Sequence, residues 1–138
     1  MNTTFIKYIC ICSLLCTLLS CEKDSELEEK LIGKWKVEFI DIIDPKVHVP
    51  FNTGDILTLN NNNKFETSQN SQGRWTISDK RLELAFESPT SFSFSADVEK
   101  SGSKLKIYRT RRIPITYPSI LHENDEQKVF SIQLSKIE

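Results

Sequence analysis

The sequence predicts an all-β protein, an eight-stranded antiparallel up-and-down barrel that follows a short N-terminal helical turn. Three observations support this fold class. Apolar residues recur at every second position from about residue 33 onwards, which is the period of a strand with one buried face. Short turns rich in Asn, Asp, Gly and Ser separate most of the apolar stripes. Closing the eight stripes into a barrel would remove the exposed edges of the sheet, and an open sandwich is the alternative.

The alternation also predicts which side chains face the interior. Tight turns are expected at Asn60–Asn63, Asp79–Lys80 and Ser101–Gly102, with a longer gap after the first strand and a loop over residues 111–126. Strand by strand, the inward residues are Trp35, Val37 and Phe39; Leu57 and Leu59; Phe65 and Thr67; Trp75 and Ile77; Leu82, Leu84 and Phe86; Phe92, Phe94, Ala96 and Val98; Leu105 and Ile107; and Phe130, Ile132 and Leu134.

Residues 1–20 have the character of a secretory signal peptide. Lys7 supplies a positive charge, and an apolar run follows from Tyr8 to Leu19, too short to cross a bilayer, which takes about 20 residues. The stretch Leu18-Leu19-Ser20-Cys21 resembles the lipobox of bacterial lipoproteins, in which the cysteine becomes the acylated first residue of the mature chain. This resemblance implies that Cys21 carries a lipid anchor. The alternative is an ordinary cleaved leader or a plain anchor helix, with Cys21 an incidental thiol.

The other cysteines support the lipoprotein interpretation. Cys10, Cys12 and Cys16 all lie within the leader and would be removed with it. Only Cys21 would remain, so we expect no disulfide, cysteine-ligated metal or thiol nucleophile in the folded domain. The expected organisation is therefore a signal peptide over 1–20, an acylated tether and helical turn over 21–30, and a barrel domain over 31–138.

The stretch Leu31–Val37, LIGKWKV, resembles the opening of lipocalin-like domains, including those of small bacterial outer-membrane lipoproteins. In that superfamily the tryptophan plugs the closed end of the barrel, and the resemblance assigns this role to Trp35. The Thr-Asp-Tyr motif of typical lipocalins is absent and the chain is shorter, so the interior is either a ligand cavity or filled by its own side chains. A second Gly-basic-Trp sequence occurs at Gly73–Trp75, where we expect the glycine to permit a turn.

Arg109 is the charged residue with the clearest candidate role. It continues the inward parity of Leu105 and Ile107 within the basic stretch Lys104–Arg112. Its planar guanidinium group could bind a ligand carboxylate through two hydrogen bonds. By resemblance, fatty-acid-binding barrels hold a carboxylate in this way. The alternatives are an arginine in water at the rim or a cation packed on Trp35. The predicted ligand-binding residues are Trp35, Phe65, Trp75, Phe86, Phe92, Phe94 and Arg109.

Catalytic and metal-binding patterns are weak. The two histidines, His48 and His122, fall in predicted loops, without the clustered ligands of a zinc site or the nucleophile elbow of a hydrolase. The acidic loop His122–Glu126 lacks the ligand spacing of an EF-hand, so we expect it to be solvent-exposed. The apolar loop Ile113–Pro118 either caps the barrel, contacts a partner or packs over the sheet. The strand carboxylates expected on the outer face are Glu83, Glu87, Asp97 and Glu99.

Composition narrows the possible functions. Lysine and arginine number 18 against 19 acidic residues, which disfavours a nucleic-acid partner. We expect a monomeric, non-enzymatic outer-membrane lipoprotein without a cofactor or metal, attached to the bilayer through acylated Cys21 and facing the periplasm or the cell surface. Its barrel would bind a small hydrophobic or amphipathic ligand. The alternative is a filled barrel acting as a protein-interaction or inhibitor module in an envelope complex, and a hydrolase is the least favoured reading.

Overall fold

The structure is a computed structural model that describes residues 24–112 and 126–138. A two-turn helix, α1, comprises residues 24–31. Eight strands follow: β1 (Gly33–Ile42), β2 (Ile56–Leu59), β3 (Lys64–Thr67), β4 (Gln72–Ser78), β5 (Arg81–Ser88), β6 (Phe92–Ser101), β7 (Lys104–Arg112) and β8 (Glu126–Lys136). The predicted signal peptide, Cys21, the predicted loop Ile113–Pro118 and His122 lie outside the described residues.

The strands form a closed barrel in which each is antiparallel to the next. The closure is made by β1 and β8, whose pairing runs from Trp35 opposite Lys136 to Ile42 opposite Phe130. The predicted eight-stranded up-and-down barrel is therefore confirmed, and the open sandwich is excluded. The strands β7 and β8 extend to Arg112 and from Glu126, slightly into the predicted loop.

Alternating burial explains why these segments are strands. In β5, Leu82, Leu84 and Phe86 are at most 3% exposed, whereas the alternating residues Arg81 and Glu83 lie in solvent. Burying one face of each strand supplies the main driving force, at roughly 25 cal/mol per Å² of apolar surface. Leu31, at the end of α1, is also fully buried, and Leu27, four residues earlier on the same face of the helix, packs against the same core.

The barrel has two different ends. The helix end comprises α1, the start of β1, the end of β8 and the β2–β3, β4–β5 and β6–β7 turns. Two hydrogen bonds attach α1 there: the Asp79 backbone N–H donates to Asp24 Oδ1 at 3.2 Å, and Asn63 Nδ2 donates to Glu28 Oε1 at 2.8 Å. The opposite end, the loop end, carries the β1–β2 loop over residues 43–55.

A β-bulge in β1 overturns one inward assignment. The register with β8 shifts between Val37 and Phe39, so that Glu38 is an additional residue in β1. An additional residue reverses the alternation that follows it. Phe39 is therefore 53% exposed rather than buried, while Ile40 packs against the core. The prediction that Phe39 faces the interior was wrong.

Gly73 also differs from its expected role. It lies within β4, opposite Phe65, rather than in a turn. A Cβ at this position would overlap the Ala85 carbonyl and the Phe65 ring. The absence of a side chain therefore lets the Phe65 ring and the β5 backbone approach β4 closely. At Gly33 the backbone conformation itself favours glycine, because its φ of +134° is one that L side chains rarely adopt.

Candidate functional site

The two tryptophans predicted as ligand contacts lie at the helix end of the barrel, where neither is exposed. The Trp35 indole N–H donates to the Leu31 carbonyl of α1 at 2.7 Å, and that of Trp75 donates to the Asn60 carbonyl at 3.0 Å. Lys136 Nζ lies 5.4 Å from the centre of the Trp35 ring. Both indoles are therefore held by the protein's own backbone, which satisfies the one polar group that each ring buries.

Aromatic rings occupy the interior between the tryptophans and the loop end. Phe65, Phe86 and Phe94 are 2–4% exposed. Phe65 meets Phe86 edge-on at 4.8 Å between centroids, and Phe94 lies 5.5 Å from Phe130. Three of the predicted ligand-binding residues thus contact one another or an aromatic ring on another strand of the barrel. Each such pair contributes about 0.5–1.5 kcal/mol beyond the area it buries.

Phe51 completes this cluster and was missed by the sequence analysis. It belongs to the β1–β2 loop, is 5% exposed, and its ring centroid lies 5.8 Å from that of Phe94 and 6.5 Å from that of Phe86. Val49, 8% exposed, enters the core beside it. The alternation of Val47, Val49 and Phe51 with polar His48 and with Pro50 was the signal that could have found them.

Phe92 does not lie inside the lumen. It is 38% exposed and stacks on Phe86 with 4.3 Å between centroids and 8° between planes. The strand parity was right, but Phe92 is the first residue of β6, where a side chain reaches the rim of the barrel. The prediction of an interior Phe92 is therefore corrected to a ring at the rim that covers Phe86.

Arg109 binds the backbone of a neighbouring strand. Its Nε donates to the Ser95 carbonyl at 3.1 Å, a second guanidinium nitrogen donates to the same oxygen, and the cation lies 5.5 Å from the centre of the Phe130 ring. The register of β6 with β7 runs only from Asp97 opposite Tyr108 towards the helix end. The Ser95 carbonyl lies beyond that register, and the guanidinium supplies the donor that a strand would otherwise provide.

Three solvent-exposed apolar residues lie on the distal part of β1 and directly after it. Phe39, Ile42 and Ile43 are 53%, 47% and 44% exposed, and we call them the β1 patch. The bulge at Glu38 directs Phe39 to this surface. Phe39 lies opposite exposed Gln133, whereas Ile42 lies opposite buried Phe130, so the β1 patch presents apolar side chains on both faces of this segment rather than on one continuous face.

The backbone edge beside the β1 patch is open. β1 pairs with β2 only over Gly33–Lys36, and Val37 then exchanges hydrogen bonds of 2.8 Å with Gly54 and Asp55. Within residues 24–112 and 126–138, the strand partner of β1 beyond Val37 is β8 alone. Among the described residues, one edge of residues 38–42 thus has no strand partner, which is the property that edge strands offer to another chain.

Acidic groups accompany the β1 patch. The hydroxyl of Ser135 donates to Glu38 Oε1 at 2.6 Å, and this bond lowers the pKa of Glu38 below its ordinary value. Asp41 is exposed within the patch, and Asp44 pairs with Arg111 at 3.0 Å. A partner with basic as well as apolar side chains would complement this surface.

In the part of the chain that the structure describes, the candidate catalytic and metal-binding residues do not cluster into a site. Glu83, Glu87 and Glu99 are exposed on the outer face as expected, and His48 is exposed in the β1–β2 loop. Asp97 is half-buried and pairs with Arg81 at 3.3 Å. Among the described residues there is no group of three His, Cys, Asp or Glu placed to hold a metal ion, and no helix long and apolar enough to span a membrane.

The chain matches no protein-family model, and no curated protein matches it.

Proposed function

We propose that this chain is an outer-membrane lipoprotein, anchored through acylated Cys21, whose lipocalin-like barrel is a non-enzymatic protein-interaction module. The observation that carries the proposal is the backbone edge of β1 beyond Val37, which has no strand partner among the described residues and is flanked by the exposed side chains of the β1 patch. The packing of the interior supports it, because the rings of Phe51, Phe65, Phe86 and Phe94 pack against one another inside the barrel. A barrel of this kind recognises a partner with its outer surface rather than with its lumen.

The proposed anchor would orient the barrel. Cys21 precedes the first residue of α1 by three positions, a distance of at most about 11 Å in an extended chain. The helix end would then face the bilayer. Ile42 lies seven residues along β1 from Trp35, about 23 Å in strand rise, so the β1 patch would point away from the membrane. That orientation leaves it accessible to envelope proteins.

Site-specific photo-crosslinking in cells tests this function. A photoreactive residue at Phe39 or Ile42 is expected to capture one discrete partner, and Ile43→Asp in the same chain is expected to abolish the adduct. A photoreactive residue at exposed Thr76, on the outer face of β4, is the matched control. Equal capture from Thr76 and Phe39, or none from either patch position, would overturn the proposal.

A small amphipathic ligand is the second candidate, and the Phe92–Phe86 stack favours it. That stack connects an exposed ring at the rim with a buried ring inside, and half-buried Arg109 carries donors in addition to those used on Ser95. Native mass spectrometry of the purified chain decides between the candidates. A bound small molecule that is lost on Arg109→Gln would favour the ligand, whereas a ligand-free wild type would favour the interaction module.

A further inference from the structure

A second surface feature lies at the helix end, on the opposite side of the barrel from the β1 patch. It is a depression of about 360 Å³ between α1, the β4–β5 turn and the β6–β7 turn. Three lysines from three different elements surround it: Lys30, Lys80 and Lys100. Its remaining lining residues are Leu27, Val98, Glu99 and Gly102.

The backbone around this lysine pocket is fixed. The Val98 N–H donates to the Lys80 carbonyl at 2.8 Å, and the Asp79 N–H donates to Asp24 of α1 at 3.2 Å. Lys100 Nζ donates to the Gly102 carbonyl at 2.7 Å. The three elements that carry the lysines are thereby joined, so the ammonium groups are presented from a preformed frame rather than from independent loops.

The pocket combines cations with an apolar floor. Val98 is 3% exposed, and Leu27 is partly buried against the core. Each lysine ammonium has three donors, and Lys30 and Lys100 each use one of them on a protein oxygen, Lys30 on Glu26 Oε1 at 2.5 Å. The carboxylate of Glu99 is the one acidic group in the lining. The three ammonium groups outnumber the two carboxylates beside them, Glu99 in the lining and Glu26 on Lys30, and this excess of positive charge favours a ligand that carries a phosphate beside apolar atoms.

The position of the pocket identifies the source of that phosphate. α1 begins three residues after Cys21, and Asp24 in its first turn bonds the turn that carries Lys80. With acylated Cys21 at the bilayer, the chain from Cys21 to α1 spans at most about 11 Å. The headgroup layer is itself about 5–8 Å thick, so the lysine pocket would lie close to the lipid headgroups.

We propose that Lys30, Lys80 and Lys100 bind the phosphate headgroup of an anionic phospholipid in the leaflet that holds the anchor. This inference rests on the proposed anchor and extends it: the acyl chains supply attachment, and the lysine pocket sets the orientation of the barrel and a preference for anionic lipid. Surface lysines each strengthen binding to anionic membranes about fivefold. Removing all three is therefore expected to weaken the preference at least about tenfold, even though Lys30 already pairs with Glu26.

The test uses the full processed chain in nanodiscs that contain equal amounts of phosphatidylglycerol and phosphatidylcholine. Native mass spectrometry measures the ratio of the two lipids retained by the protein. The wild type is expected to retain phosphatidylglycerol preferentially. In K30Q/K80Q/K100Q the ratio of retained phosphatidylglycerol to phosphatidylcholine is expected to be about tenfold lower. The control K36Q/K46Q/K128Q removes the same charge at exposed lysines outside the pocket. Equal retention by the two triple variants, at matched melting temperatures, would overturn the proposal.

Two further measurements separate the possible causes. Titration with inorganic phosphate, followed by the NMR shifts of the lysine side chains, tests whether the pocket binds a free anion. Saturation at low millimolar phosphate without any lipid preference would identify soluble phosphate as the ligand and overturn the inference. The intact mass of the chain reports acylation of Cys21 independently. A chain without acyl mass would refute the anchor, whereas an acylated chain without lysine-dependent selectivity would refute the lysine pocket alone.

Discussion

The ring of Phe51 meets the ring of Phe94 edge to face, with 5.8 Å between centroids and 88° between planes. Phe51 belongs to the β1–β2 loop and Phe94 to β6, which are far apart in the strand order of the barrel. This contact draws the long loop into the core and makes it part of the hydrophobic interior at the loop end. The loop is therefore a structural element rather than a mobile connection.

Phe51→Ala is expected to lower the free energy of unfolding by about 3–5 kcal/mol, because it leaves a cavity among Phe86, Phe94 and Val49. Urea denaturation followed by circular dichroism measures the change. Phe39→Ala serves as the matched control, since Phe39 is 53% exposed and its loss should cost no more than about 0.5 kcal/mol. Similar effects of the two substitutions would show that Phe51 does not support the core.

Trp35→Ala is expected to cost about 3–5 kcal/mol, as a truncation of a fully buried ring at the helix end. Trp35→Phe should cost less, because it keeps an aromatic ring and loses the hydrogen bond to the Leu31 carbonyl. Thermal melts of the two variants test the order. A near-native melting temperature for Trp35→Ala would rule out a role for Trp35 as the plug of this end.

Gly73→Ala is expected to destabilise the barrel by about 1–3 kcal/mol, because the added methyl group would overlap the Ala85 carbonyl and the Phe65 ring. Thr76→Ala, at an exposed position of the same strand, provides the comparison in equilibrium unfolding. If both variants unfolded at the same denaturant concentration, the close approach of β3 and β5 at Gly73 would not be needed.

Ser135→Ala is expected to raise the pKa of Glu38 towards its ordinary value, because the Ser135 hydroxyl stabilises the ionised carboxylate. The pKa of Glu38 is lower in the folded chain than in the unfolded chain. Its contribution to stability is therefore present above the unfolded pKa and is lost as pH falls through the folded pKa. NMR titration of the Glu38 carboxyl carbon measures the shift, and Ser93→Ala should leave it unchanged.

Cys21→Ser is expected to release the protein from membranes and to block removal of the leader, because the serine cannot form the thioether that precedes cleavage. Fractionation of cells and the intact mass of the chain measure both effects. Ser20→Ala, which keeps a small residue before the cysteine, is the control and should remain attached. Continued membrane attachment of Cys21→Ser would refute the lipobox assignment.

The sequence by itself determined the strands and most of the core. Period-two alternation is a local property, so it identified all eight strands, and it correctly buried Trp35, Phe65, Trp75, Phe86 and Phe94. The turns were equally local: Asn63, Asp79, Lys80 and Gly102 adopt the positive φ that tight turns require. The predicted ligand-binding set was thus accurate about which strand faces point inward.

Only the tertiary structure decided what those faces contact. The bulge at Glu38 arises from the pairing of β1 with β8, and it sends Phe39 outwards although its local pattern matches that of Val37. Phe92 is exposed because it lies at the rim, and Phe51 is buried because a loop folds back over the same end. Arg109 is held by a carbonyl on another strand. Register, strand ends and loop paths depend on residues distant in the chain, and for that physical reason alternation alone could not predict them.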